Sequence, residues 1–266
     1  ALRFASKFNY VVVKLKDETN IPLELIIAKL QKKKVCLLKE VYSCEEATIA
    51  FGVLEWGSDG VLLKTNKIEE ILLLQNEIKR RELIDIELVK ASVIGIRHIG
   101  IGYRGCIDTT SLMTTEEGII VGSTSLGGIL ACSETHYLPY MNLRPFRVNA
   151  GAVHSYVWGP NNITEYITDL KVGSKVLCVN IHGKARVATV GRIKIEVRPL
   201  LLIEAKYNNV VINTIMQDDW HVRIHGGNGE PRNVTTLKPD DEILVHIANP
   251  GGRHVGIKVE ETILEM

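Results

Sequence analysis

YVVVKL (10–15), PLELIIAKLQ (22–31), KVCLLKEV (34–41), CEEATIAFGVLEWG (44–57) and DGVLLK (59–64) follow one another with short breaks, and their order decides the fold of the first third of the chain. Short β-branched runs alternate with helical stretches, and a long helix is expected from Lys67 to Glu82. This βαβα order predicts parallel strands covered by helices. Pro22 suits a first helical turn, while Gly57 and Gly60 suit a stop and the turn into the next strand. Lys14 and Lys16 follow one strand and Lys64 another. The carboxyl ends of strands face the ligand in parallel α/β folds, although the plainer reading is solvated rim lysines.

After Ile84 the texture changes to short apolar runs separated by glycine, asparagine and proline turns, with no strong amphipathic helix, which predicts a β-rich region. The expected organisation is an α/β domain over residues 1–90 and a β-rich domain over 91–266. Within the latter, a shift of 67 residues lays His154 on His221, Gly159 on Gly226, Asn161 on Asn228 and Thr168 on Thr235. Two copies of a β unit, near 153–198 and 220–260, are expected, each too small to bury its own apolar face. A pseudo-two-fold arrangement would bring His154 and His221 toward a shared cleft.

The 266 residues are 45% apolar with a net charge of +1, which fits a globular protein with no basic field for nucleic acid. No apolar run is long and charge-free enough to span a bilayer. Five scattered cysteines without CxxC spacing argue against a disulfide scaffold or zinc cluster and fit a reducing cytoplasm. No signal peptide is visible, and ALRFASKFNY reads as though it begins inside a domain, so sequence upstream of Ala1 is expected to be missing.

CSETHYLPYMNLRPFRVNAGAVHSY (132–156) concentrates carboxylate, imidazole, guanidinium and amide chemistry in one segment. Such groups are costly to bury unless each finds a partner. Together with Asp218, Asp219 and His221, the residues Glu134, His136 and His154 form the best ligand constellation for Mn²⁺ or Mg²⁺. Glu134 and His136 share a strand face, as do Asp219 and His221. Arg144 and Arg147 are candidates to clamp a carboxylate or phosphate. Lys194 and Arg198 would extend that positive pocket, or else line an outward strand face. GIGYRG (100–105) matches the dinucleotide pattern, but no helix follows to receive a pyrophosphate, and a glycine-rich turn is the better reading. No G-x-S-x-G elbow occurs, and Cys132 lacks an evident activating base.

The strings CIDTTSLM, EEGIIVGS, CSETHYLPYMNLRPFRVNAGAVHSY, VGRIKIEVRPLLLIEA, LKPDDEILV and GRHVGIKVEETI together resemble the type II 3-dehydroquinate synthase family, and the likeness runs over the whole chain. Members of the family are longer at the N-terminus. The resemblance implies one of two chemistries on a small-molecule substrate. One is NAD-dependent oxidative deamination and cyclisation of 2-amino-3,7-dideoxy-D-threo-hept-6-ulosonate to 3-dehydroquinate. The other is Mn²⁺-dependent closure and aromatisation of an aminated C7 keto acid phosphate to 3-amino-4-hydroxybenzoate. SETHYLPYM and QDDWHVRI are similar to the second branch, and VHSY departs from the VHAY usual in the first; IDTTSLM is more similar to the first. The expectation is the aminohydroxybenzoate reading, with Glu134, His154, Asp219 and His221 holding the metal. His136 would move protons, Arg144, Arg147, Asn149, Lys194 and Arg198 would bind substrate, and Lys16 would bind phosphate or form a Schiff base. A cytoplasmic enzyme, open to homo-oligomerisation, follows from this reading. The competing class is a non-catalytic β module serving as a binding surface.

Overall fold

The computed structural model describes residues 7–16, 20–30, 32–54, 56–81, 84–248, 253–254 and 257–258. Residues 1–6, on which the reading of a start inside a domain rests, lie outside the described residues, as do parts of the second repeat segment beyond 248. The chain divides into two compact units, Ala1–Glu82 and Leu83–Met266. No helix is long and apolar enough to cross a membrane among the described residues.

The first unit runs β1 (Tyr10–Val13), α1 (Ile21–Leu30), β2 (Cys36–Val41), α2 (Cys44–Gly52), β3 (Gly60–Leu63) and α3 (Ile68–Arg81). The strands pair in parallel in the order β1-β2-β3, as the alternation of periods predicts. Leu23, Ile27 and Leu30 recur at helical spacing on α1 and are buried with Leu37, Val41, Ala47, Ala50 and Leu74. Ser43 caps α2 by accepting from the Glu46 amide at 3.1 Å. After α2 the chain turns at Gly57, whose φ is +65°, and a Cβ there would lie 2.1 Å from the Phe51 carbonyl oxygen. Only glycine fits that turn.

The second unit contributes β4 (Ile84–Asp85), β5 (Val89–Thr109), β6 (Glu117–Thr124), β7 (Gly127–Glu134), β8 (Arg144–Ala152), β9 (Tyr156–Trp158), β10 (Thr164–Tyr166), β11 (Lys175–Asn180), β12 (Lys184–Tyr207), β13 (Val210–Gln217), β14 (Arg223–His225), β15 (Pro231–Asn233) and β16 (Glu242–Ile247). The passage between the units lies ahead of the residue-90 boundary read from sequence texture, because β4 already pairs with β12. Pairing is antiparallel throughout, in the order β10-β9-β6-β11-β12-β5-β16-β7-β14-β15, with β13 on β12 and β8 bridging β5 and β7. Alternate residues such as Ile107, Ile119, Ile129, Val148, Ile203 and Ile224 form the main core. GIGYRG lies inside β5, where Gly102 leaves room for the Leu200 side chain, 2.6 Å from where a Cβ would sit. The motif is a packing device of a long strand, without the strand-to-helix context of a nucleotide loop.

The shift of 67 residues noticed in the sequence carries the strand boundaries with it. Tyr156–Trp158 corresponds to Arg223–His225, Thr164–Tyr166 to Pro231–Asn233, and Lys175–Asn180 to Glu242–Ile247. The register follows: Trp158 pairs with Thr164 as His225 pairs with Pro231. The strand order also places β9 beside β6 as β14 lies beside β7.

Candidate functional site: a charged sheet face and a buried amide relay

Three neighbouring strands turn polar side chains to one face. Along β5, Arg104, Cys106 and Asp108 alternate with core residues; opposite them on β12 stand Glu196, Lys194 and Arg192. On the other side, β8 places Asn149 against Cys106 and Arg147 against Asp108. Each of these positions is polar because its strand neighbours, such as Ile107 and Val148, take the core side.

Asp108 organises one end of this face. Its carboxylate accepts from Arg147 Nε (2.7 Å) and Nη2 (2.8 Å) in a parallel fork, and from Arg192 Nε at 2.7 Å. Burial pushes the Asp108 carboxyl up, yet the Arg147 and Arg192 bonds outweigh it and hold it below the usual carboxylate range. Asp108 in turn raises the Arg147 guanidinium further above its ordinary value. Arg147 is therefore buried and committed to Asp108, so it reaches a ligand only as a fixed charge beneath the surface.

Glu196 organises the other end, accepting from Arg104 Nη2 (3.0 Å) and Arg198 Nη2 (2.8 Å) and pairing with Lys194 Nζ (3.0 Å). Burial pushes its carboxyl up, and Lys194, Arg104 and Arg198 bring it below the ordinary value. The alternation of Arg192, Lys194, Glu196 and Arg198 is thus a strand face, as one reading of GRIKIEVRPL held, and that face is the one carrying Asp108. At the β7–β8 end, Glu134 accepts from Arg144 Nη1 at 2.8 Å. Its charge is felt by both Cys106 and Arg147. Arg104, Arg144, Arg147, Arg192, Lys194 and Arg198 are six cations set against three carboxylates, Asp108, Glu134 and Glu196. The region carries a surplus of three positive charges and is suited to anions.

Asn149 links this face to a second group. Its Nδ2 donates to Gln217 Oε1 (2.8 Å), Gln217 Nε2 donates to Asp219 Oδ2 (3.1 Å), and Asp219 Oδ1 receives His221 Nδ1 (2.8 Å) and the His221 amide (3.3 Å). Burial pushes the Asp219 carboxyl up, and the His221 and Gln217 bonds outweigh it and bring it below its ordinary value. Asp218 points elsewhere and pairs with His98 Nδ1 at 2.7 Å.

The expected metal ligands are not gathered by this fold. Among the described residues no three His, Cys, Asp or Glu side chains stand together as a ligand group. Glu134 is occupied by Arg144, Asp219 and His221 bond each other, and His154 is exposed at the turn after β8. These residues as placed do not fit a divalent ion. His136 is half-buried, and its Nε2 has no hydrogen-bond partner among the described residues. Burial, reinforced by Arg223 and His225, pushes its imidazole down to about 4, so it is neutral at pH 7. Lys16 lies exposed in the first unit, apart in sequence from every other candidate. A cleft of about 550 Å³ in that unit is lined by Leu38, Phe51, Trp56, Asp59, Val61 and Leu74 and includes none of the candidates.

Sequence reading passed over Arg104, Asp108 and Gln217, and took Arg192 only as part of an outward strand face. The available signal was an acid inside the apolar strand run GCIDTT and an amide after the buried Met216 of TIMQ, since such groups enter cores only with partners.

Two family models match the chain, the 3-dehydroquinate synthase II N-terminal domain over residues 1–78 and the C-terminal domain over residues 90–266. A 3-amino-4-hydroxybenzoic acid synthase from Streptomyces griseus is 45% identical over 255 residues, 96% of this chain and 64% of that protein. A 3-dehydroquinate synthase from Methanopyrus kandleri is 45% identical over 261 residues, 97% of this chain and 65% of that protein. One from Methanocaldococcus jannaschii is 44% identical over 255 residues, covering 96% and 70%. The chain thus spans about two thirds of the length of these relatives. No solved structure matches the chain with statistical significance. The domain matches at both ends of the chain, together with relatives of two activities at equal identity, make it a member of the 3-dehydroquinate synthase II family.

Proposed function

We propose that the protein is a cyclising and aromatising synthase that forms 3-amino-4-hydroxybenzoate from an aminated C7 keto acid phosphate. The observation that carries this reading is the surplus of three positive charges on the β5–β8–β12 face, which suits a substrate bearing a carboxylate and a phosphate. Arg144, Arg192, Lys194 and Arg198 are the cations exposed enough to meet it, while Arg147 and Asn149 act from beneath. The Streptomyces relative's name carries the product of this reading. The Mn²⁺ or Mg²⁺ requirement belongs to the proposal only as a condition of the assay, because the residues expected to hold the ion do not assemble, and no step is routed through it. The equal identity of the archaeal relatives favours a second reading, NAD-dependent 3-dehydroquinate synthase II activity on an amino-dideoxy-heptulosonate. A bare binding module gives no reason for so many buried charged groups, whose desolvation is costly.

Two finer features belong to the same proposal. The matching boundaries and registers at a shift of 67 residues support a duplicated β unit. The free thiols of Cys36, Cys44, Cys106, Cys132 and Cys178 suit a reducing compartment such as the cytoplasm.

The test incubates the full-length protein with each C7 substrate, with and without Mn²⁺, and follows product mass and NADH absorbance together. An aromatic amino-hydroxy acid formed without NADH supports the first reading. Dehydroquinate formed with NADH growth establishes the second instead, and no product from either overturns both.

A further inference from the structure

We propose that His221 is the proton-transfer residue of this site, fixed in one tautomer by Asp219, with Gln217 and Asn149 as positioning residues. The inference rests on the ring-closing reading above, which requires a group able to take and return a proton.

The geometry runs in one direction. Asp219 accepts from His221 Nδ1, so that nitrogen carries the proton and Nε2 presents the lone pair. The other Asp219 oxygen is held by Gln217, and Gln217 is oriented by Asn149. Both amides are nearly fully buried, at 1% and 4% exposure, so neither rotates freely in solvent. An amide–amide–carboxylate–imidazole chain with every link made, buried at its two amides, is the arrangement that holds a base in register. The chain begins at Asn149, opposite Cys106 on the cationic face, and so ties His221 to the anion-binding strands.

The molecule contains its own comparison. At the shift of 67 residues, His221 corresponds to His154, Asp219 to Ala152 and Gln217 to Ala150. Two buried alanines occupy the equivalent places in the first segment, where the imidazole is exposed and lacks a carboxylate on its own strand. The polar pair is present only where an imidazole is being aimed.

In the reaction, His221 Nε2 removes a proton from the carbon next to a substrate carbonyl, and the bonding pair moves to that oxygen. The resulting imidazolium is stabilised by Asp219. It returns the proton to the alkoxide oxygen formed when the new carbon–carbon bond closes the ring, leaving His221 neutral with no net gain or loss.

The test has two arms. In turnover assays of the full-length protein, His221→Gln should lower kcat by about 100-fold or more with KM little changed, and Gln217→Leu should lower kcat in the same sense. In long-range proton–nitrogen NMR, His221 is assigned among the eight imidazoles by its loss in His221→Gln or, should that variant not fold, in His221→Asn. The wild type should show the Nδ1–H tautomer, and Asp219→Asn should release it. An Nε2–H tautomer in the wild type, or an unchanged kcat in His221→Gln, overturns the inference. Absence of any product from wild type would count against the ring-closing reading, while the tautomer arm still decides the relay.

Discussion

Asp108 accepts three hydrogen bonds from two arginines, and its side chain and that of Arg147 are 6% and 9% exposed. Asp108→Asn keeps the shape but leaves the Arg147 charge buried without its counterion. Breaking one member of such a pair costs about 3 kcal/mol or more. For a unit of this size that corresponds to a fall of roughly 10 °C in thermal midpoint, measurable by calorimetry. His136 gives a prediction in pH. Its folded pKa, about 4, lies below the ordinary value of 6.5, so the fold favours the neutral imidazole. That contribution is complete above about pH 6.5 and is lost as pH falls toward 4. The shift would correspond to roughly 3 kcal/mol, and solvent screening of a half-buried ring reduces it to about 1 kcal/mol. Denaturant titrations at pH 7 and pH 4.5 should show a smaller loss of stability on acidification for His136→Gln than for the wild type.

At the scale of elements, α2 is held at its start by the Ser43 hydroxyl and by Glu46, whose carboxylate accepts from the Tyr42 amide at 2.9 Å. Ser43→Ala should cost about 1 kcal/mol, read as a lower midpoint for the first unit in urea. The signals at Pro22 and Gly57 were legible in the sequence because each depends on residues within one turn. The βαβ order was legible for the same reason: each period is written locally. The β-rich unit was legible only as a class. Which strands meet is set by pairings such as Asp108 with Arg192 and Arg147, 84 and 39 residues apart, and no local period encodes them. Glu134, Arg144, Asp219 and His221 were singled out from the sequence. What the sequence does not show is that Glu134 pairs with Arg144 and Asp219 with His221, contacts that no local period encodes.

At the scale of the whole molecule, the proposed function rests on a sheet that turns one strip of charge away from its core. Asp108 and Glu196 each hold arginines in place, so the strip is rigid and still positive. Lys194 and Arg198 are two of its accessible members, with side chains 46% and 39% exposed, and both can be replaced without uncovering a buried charge. Because exposed charges are screened by salt, the KM for an anionic substrate should also rise between low and physiological ionic strength. The most direct measurement is the KM and kcat of the Lys194→Gln, Arg198→Gln double variant for the phosphorylated C7 substrate. A KM raised by about tenfold or more, equivalent to roughly 1.4 kcal/mol of binding, with kcat nearly unchanged, is the predicted result. A KM equal to that of the wild type would contradict the assignment of this face as the substrate site.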